Sequence, residues 1–471
     1  MLAENIILIE RGYKLKLVSD EILSDTGQEK PIFDAVYPMI QGFKLYDPSA
    51  WTQGHPFELY RKMREEAPVM WMPQERGFSG FWSLTRYEDI KAVELAHDVF
   101  SSQRGSINMA VAPRQHWRPE NLTMAAFNSL INLDEPLHGE IRKQQNEFFF
   151  PAYVEKIREK VGLKIDSLLD EMERKGPTVN FVKMFSEEVP LFTLCEMLGV
   201  DEKDRPRVKV WMHHLELAAQ FLSHPWKTFL SEPMFPLRFN RVLKDMFDFG
   251  ERVMAERRKT PREDLLTAIA RSTMGNELLP QEFLDGSWLL IIFAGNDTSR
   301  NSLSGTIRLM TEFPDQRAMI LGDPSLIPQM SEEALRMVSP VIHMRRTALK
   351  DAEVNGQKIA KDEKIVLWYG AANRDPDVFP DPDVFDIQRE NAARHLAFGH
   401  GVHKCLGMRI AKMQLRLSFE RIFERFPNIA WTGKQKISPN ALVHAVSNLQ
   451  VDLYGRGKSR PNQVSLAKTG T

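Results

Sequence analysis

Only two cysteines, Cys195 and Cys405, occur in 471 residues, so the chain has no material for a disulfide framework. So few fit a reducing compartment, and the cytoplasm is the expected location. An excess of either charge is also missing: 62 lysines and arginines stand against 63 aspartates and glutamates, a formal net charge of -1. No global field draws nucleic acid or an anionic membrane, and a charged partner must be met by a local patch. Long apolar runs are absent too. Residues 6–9 form a short apolar stretch closed by Glu10 and Arg11, and no later segment reaches the ~18 uninterrupted apolar residues of a membrane anchor. No Ser/Gly-rich linker, repeat or low-complexity block divides the chain.

What is present is core material: 43% of residues are hydrophobic and 10% aromatic, enough to bury a large interior. Weak periodicity over 1–45 marks an N-terminal extension, and 456–471 reads as a polar tail; both are expected to be loosely held. Residues 46–455 between them read as one domain. Apolar residues recur at helical spacing over 56–66, 87–97, 138–149, 154–174, 206–221, 237–259, 282–311, 331–338 and 406–426. Strand-like stretches are short: 81–85, 343–348, 352–354 with a turn at Asn355-Gly356, 364–369, and a C-terminal pair at 442–446 and 449–453. The fold class is therefore mainly α with small β-sheets (α+β).

Chemistry concentrates in Phe398-Gly399-His400-Gly401-Val402-His403-Lys404-Cys405-Leu406-Gly407, directly before a helix. Glycines let the backbone turn tightly and approach a flat ligand. The following helix's dipole and free N–H groups favour an anionic sulfur, so Cys405 suits metal ligation. Cys195, inside the apolar run 192–198, lacks such a loop and is expected in the core. A second unusual segment, Ala294-Gly295-Asn296-Asp297-Thr298, sets an acid and an alcohol inside a long apolar helix, where they are costly unless they serve something. The bland alternative is a hydroxyl bonded back to its own helix and an acid paired with Arg300.

The cysteine segment resembles the cytochrome P450 signature Phe-Gly-x-Gly-x-His-x-Cys-x-Gly at every fixed position. Other segments resemble that family in the expected order: the Ala294–Thr298 helix segment, Glu333-x-x-Arg336 with Arg389, Asp134-x-Pro136-x-His138-x-x-x-Arg142, and Arg346 past Pro340. The resemblance spans about residues 50–455. It implies a single triangular, mostly helical domain holding haem b, with Cys405 as the iron ligand and Phe398 and Gly399 shaping its loop. His138, Arg142, Arg346 and His403 are implied to bind the haem carboxylates. Arg345 is the neighbouring alternative to Arg346, although strand alternation sends the two side chains to opposite faces. Gly295 would open room for dioxygen at a bulge, Thr298 would hydrogen-bond the oxygen, and Asp297 would relay protons. The triad of Glu333, Arg336 and Arg389 is implied to serve fold integrity.

Such an enzyme inserts one atom of O2 into an unactivated C–H bond. No dinucleotide fingerprint or iron–sulfur cysteine cluster occurs, so electrons are expected from a ferredoxin served by a NAD(P)H-dependent ferredoxin reductase. Arg409, Lys412 and Arg416 form a basic stripe suited to an acidic ferredoxin. Leu290, Phe293, Ala294, Val341 and Ile342 are candidate lining for a hydrophobic substrate. The segments 295–302, 344–346 and 367–375 are similar to bacterial hydroxylases of terminal methyls in alkanes and fatty acids; steroid and terpenoid side-chain hydroxylases share parts of them. A haem-binding sensor without turnover and a peroxide-using peroxygenase are the alternatives of other classes; Thr298 and Asp297 favour oxygen activation over both.

Overall fold

The periodicities that promise helices deliver them, some extended, such as 154–174 to Pro151–Lys175, and some shortened, such as 87–97 to Tyr87–Leu95. In the computed structural model, residues 6–10, 14–18, 36, 39–40, 45, 47–73, 80–105, 120–223, 228, 230 and 232–455 are described. The C-terminal tail 456–471 lies outside them, as does most of the N-terminal extension. Within that extension β1 (Ile6–Glu10) and β2 (Lys14–Val18) pair antiparallel.

The helices run in chain order as α1 (Phe57–Glu66), α2 (Tyr87–Leu95), α3 (Glu120–Phe127), α4 (Leu137–Gln145), α5 (Pro151–Lys175), α6 (Glu188–Leu198) and α7 (Arg205–Ser223). They continue as α8 (Phe235–Lys259), α9 (Leu265–Arg271), α10 (Gln281–Glu312), α11 (Pro314–Gly322), α12 (Ile327–Val338), the short α13 (Tyr369–Ala372) and α14 (Met408–Arg425). Two of these helix starts have a plain chemical cause. Pro151 opens α5, where its missing N–H is harmless, and Asp264 caps α9 by accepting from the Thr267 N–H at 2.8 Å.

Helix α10 is the axis of the molecule. Its 32 residues span about 48 Å at 1.5 Å each. Apolar residues on most of its circumference, among them Phe283, Leu284, Trp288, Ile292, Leu303 and Ile307, pack into one core shared with α4 to α9, α12 and α14. Trp288 is fully buried between α10 and α8 and donates its indole N–H to the Met246 carbonyl at 3.0 Å.

Beside the helices lies a five-stranded sheet in the order β3 (Val69–Met72), β4 (Phe81–Leu84), β12 (Lys364–Trp368), β9 (His343–Ala348), β5 (Phe100–Ser101). Only β4 and β12 run parallel, with Ile365 opposite Trp82. All five β12 residues are buried, which fits the unbroken apolar run after Lys364. Ribbons β7–β8 (Thr273–Met274, Glu277–Leu278) and β10–β11 (Ala352–Val354, Gln357–Ile359) are minor, the latter turning at Asn355-Gly356.

One expectation fails here. The C-terminal stretches 442–446 and 449–453 do not pair with each other. Residues Ala445–Asp452 form a single strand, β14, pairing with β13 (Ala430–Ser438) on one side and β6 (Thr178–Asn180) on the other. Ser447-Asn448 lacks the glycine a tight hairpin favours, and a register shift near Lys436 and Ile437 carries the strand through.

Candidate functional site

The cysteine loop runs from the end of the β12–α13 region into α14 and is fixed by its own backbone. Cys405 N–H donates to the Phe398 carbonyl at 2.8 Å, Gly399 N–H to Leu396 at 2.9 Å and Lys404 N–H to Gly401 at 3.1 Å. Gly399 and Gly401 both hold φ in the left-handed region, at 67° and 64°, where a side chain is strained. The loop thus offers the sulfur at the N-terminus of α14, with the Gly407 and Met408 N–H groups directed at it. One side of Cys405 is open to solvent, yet surrounding protein crowds the sulfur enough that burial, the largest influence, raises the thiol pKa; those two N–H groups and Arg142 oppose it. Cys195 is fully buried in α6, as expected of core.

Around this loop gathers a surplus of basic side chains. His138 on α4 is 1% exposed, and its ring lies 4.2 Å from that of His403, centroid to centroid. Arg142, one turn further along α4, donates to the Lys404 carbonyl at 2.5 Å. Arg346 on β9 is buried; together with His138 and Arg142 it adds to burial in holding His403 down to about 2. Glu135 bonds His138 at 3.1 Å, and Glu94 lies 3.6 Å from Arg346. Two arginines and two histidines with so few acids among them are suited to a ligand with carboxylates of its own, and Cys405 supplies the soft donor that iron accepts. The residues therefore fit a haem. Arg345, the neighbouring alternative, points elsewhere and donates to the Arg104 carbonyl at 2.5 Å.

On α10 the oxygen segment differs from expectation in two respects. The helix is unbroken through Ala294–Thr298, with no bulge, and Thr298 Oγ1 donates to the Ala294 carbonyl at 3.3 Å. A Cβ on Gly295 would stand 3.2 Å from Leu194 on α6, so this glycine serves close helix packing there. What the segment does provide is an open face. Along a helix otherwise largely buried, Leu290, Phe293, Asp297 and Thr298 are half-buried and Ala294 is exposed, a stripe spaced three and four apart. Val341 is half-buried and bridges to Val443. Ile342 is fully buried and packs with Val366 and Trp368 beneath the sheet, so its side chain belongs to the core and not to a pocket.

Asp297 is not alone. Its Oδ1 lies 3.3 Å from Arg300, whose guanidinium is 2% exposed and also meets Glu216 of α7 at 3.2 Å and Glu187 at 3.4 Å. Burial lifts the Asp297 pKa to about 6; Arg300 pulls it down, and the two glutamates push it further up. Sequence reading missed Glu187 and Glu216, which lie far from Asp297 along the chain. It also missed Glu94, although 87, 90 and 94 fall on the apolar face of α2 and an acid there is a detectable anomaly.

Below the loop, Glu333 accepts from Arg336 at 2.7 Å through both oxygens and from Arg389 at 3.1 Å. Arg336 also donates to the Asn373 and Pro382 carbonyls, so the buried triad ties α12 to the segments leading into the cysteine loop. Among the described residues no helix is long and apolar enough to cross a membrane.

Comparison with known proteins agrees with this arrangement. A family profile described as cytochrome P450 matches residues 325–450. Linalool 8-monooxygenase of Pseudomonas putida is 32% identical over 410 residues, covering 87% of this chain and 98% of that protein. A steroid C26-monooxygenase of Rhodococcus jostii is 30% identical over 437 residues, covering 90% and 87%. The solved structure of cytochrome P450-153 from Novosphingobium aromaticivorans superposes with a TM-score of 0.75 at 30% identity, covering 88% of this chain and 99% of that one. Likeness of this extent, on a chain with this cysteine loop, places the protein in the cytochrome P450 family of haem-thiolate monooxygenases.

Proposed function

We propose that this P450 hydroxylates the terminal carbon of an alkyl chain, with alkanes or fatty acids as substrates. The observation that carries the reading is the open stripe on α10, where apolar Leu290, Phe293 and Ala294 share one helix face with Asp297 and Thr298. An unbranched chain suits such a surface, because it offers apolar area and few polar groups to satisfy. The names of the two relatives, a linalool 8-monooxygenase and a steroid C26-monooxygenase, support attack at a single carbon of a largely apolar molecule. Those same relatives favour a second reading, a terpenoid or steroid side chain as substrate.

Bound haem b supplies the oxygen activation: one atom of O2 enters the C–H bond and the other leaves as water, consuming two electrons and two protons. In this proposal the domain 46–455 holds that group. Cys405 ligates its iron from a loop preformed by backbone bonds, and Phe398 and Gly399 keep the sulfur aimed. His138, Arg142, Arg346 and His403 bind its carboxylates. Asp297, held near neutrality by burial, passes protons inward, and the Thr298 hydroxyl leaves the Ala294 carbonyl to deliver them. Electrons come from a cytoplasmic ferredoxin and its NAD(P)H-dependent reductase, through the α14 side.

The test is a titration of the ferric protein with medium-chain alkanes, fatty acids and a sterol, read as the change from low to high spin. Alkyl chains without rings should produce it, and oxidised product should carry the hydroxyl at the chain end. A spin change with the sterol alone overturns the alkane and fatty-acid reading in favour of the second.

A further inference from the structure

Glu94 has no part in the chemistry described so far, yet it touches the haem-binding machinery at several points. It sits near the end of α2 with its side chain 1% exposed. Oε1 accepts the Tyr369 hydroxyl at 2.6 Å and lies 3.6 Å from Nη2 of Arg346; Oε2 is buried without a partner. The His400 N–H is directed at it from the cysteine loop. That loop presses on Glu94 twice: a Cβ on Gly399 would come within 3.2 Å of Oε1, and one on Gly401 would collide with the Glu94 carbonyl. An acid with a vacant oxygen lone pair, braced on the cysteine loop and sharing Arg346, demands a reason.

We propose that Glu94 is a proton-linked positioning residue for the haem, steadying Arg346 and the cysteine loop when ionised and taking up a proton when a haem carboxylate claims the same guanidinium. The reasoning is electrostatic. Two ionised carboxylates at one buried guanidinium repel, and the less solvated one takes the proton. Burial already holds Glu94 at about 7 against the pull of Arg346, the Tyr369 hydroxyl and the His400 N–H. A second anion therefore acts on a group poised at neutrality. The facing groups do not titrate with it: arginine remains charged, and burial keeps the Tyr369 phenol well above its usual range. Because haem binding then takes up a proton, haem is held more tightly at low pH and more loosely as pH rises past about 7.

The inference rests on Arg346 serving the haem and is independent of the substrate. Haem transfer from the intact holoenzyme to apomyoglobin, followed from pH 6 to 9 with no substrate, tests it. Wild-type release should accelerate with pH, by at most about tenfold per unit for one linked proton. Glu94→Gln should flatten that profile near the wild-type rate at pH 6. Tyr369→Phe, which removes a donor favouring the ionised acid, should move the midpoint to higher pH. A Glu94→Gln holoenzyme with the wild-type slope overturns the proposal. Where that variant fails to fold, an unmoved midpoint in Tyr369→Phe does so. The thiolate Soret band at the start of each run reports separately whether haem is bound at all.

Discussion

Two polar clusters serve this enzyme, and they are built in opposite senses. On the cysteine side two guanidiniums, Arg142 and Arg346, and two rings that burial keeps neutral, His138 and His403, supply donors beside Glu94 and Glu135; on the oxygen side one buried guanidinium, Arg300, faces Asp297, Glu187 and Glu216. A cluster rich in donors is completed by a ligand that brings acceptors. A cluster short of cations is completed by protons, which is the cargo an oxygen-activating site has to handle. They also differ in construction. The cysteine loop holds its shape through backbone bonds within ten residues, whereas the Arg300 cluster exists only because α7, α10 and the start of α6 meet.

The largest effect expected from that difference is at Cys405. Cys405→Ser should remove the thiolate signature from the carbon-monoxide difference spectrum. Product formation should fall further than the about 10–100-fold that loss of an outer partner of a metal ligand costs. Stability in urea should change by no more than about 1 kcal/mol, because the loop's hydrogen bonds to Phe398, Leu396 and Gly401 do not use the sulfur. Global unfolding of this variant would sink the view that the loop is self-supporting.

The oxygen side should instead respond to pH. Asp297 has its pKa raised from 3.8 to about 6, so the folded protein binds a proton more tightly than the unfolded chain. Stability from this group is fully present below about 4 and is lost as pH rises to about 6, after which it stays level. Asp297→Asn carries no titrating proton, so its unfolding free energy in urea should exceed the wild type's at pH 7 by about 1–3 kcal/mol, and the two midpoints should converge near pH 4. Equal midpoints at both pH values would show that Arg300 alone balances the acid.

This contrast also explains what the sequence disclosed. Cys405 was legible because its loop, cap and glycines are neighbours in the chain, and α10 because helical periodicity runs over its full length. The fold class followed from the same periodicities. Less legible were contacts created by packing: Glu216 and Glu187 come near Asp297 only in three dimensions, and Ile342, just before β9, falls into the core cluster of Val366 and Trp368. Gly295 was assigned to oxygen, but helix packing decides which side its missing Cβ faces, and that side holds Leu194. The β14 strand was split in two because polar Ser447-Asn448 interrupts its apolar pattern, while its partners β13 and β6, which carry the pairing across that break, are separate in sequence.

The smallest expected effect concerns the basic stripe on α14, which sequence reading treats as uniform. Lys412 and Arg416 lie 2.7 and 2.9 Å from Glu332 of α12. Against the upward push of burial, His395 and Lys412 hold that carboxyl down to about 2, so it stays charged at any working pH. Neither cation reaches an incoming carboxylate without weakening an existing pair. Arg409, by contrast, is exposed. An exposed ion pair contributes about 0.2–1 kcal/mol, so Arg409→Ala should raise KM for an acidic ferredoxin by about 1.5–5-fold at low salt, with the difference fading as salt screens it. Arg416→Ala should change it less, measured in the same steady-state titration of ferredoxin. Equal effects would mean that Glu332 yields its cations readily to the partner, and that the whole stripe, and not one residue on it, meets the reductant.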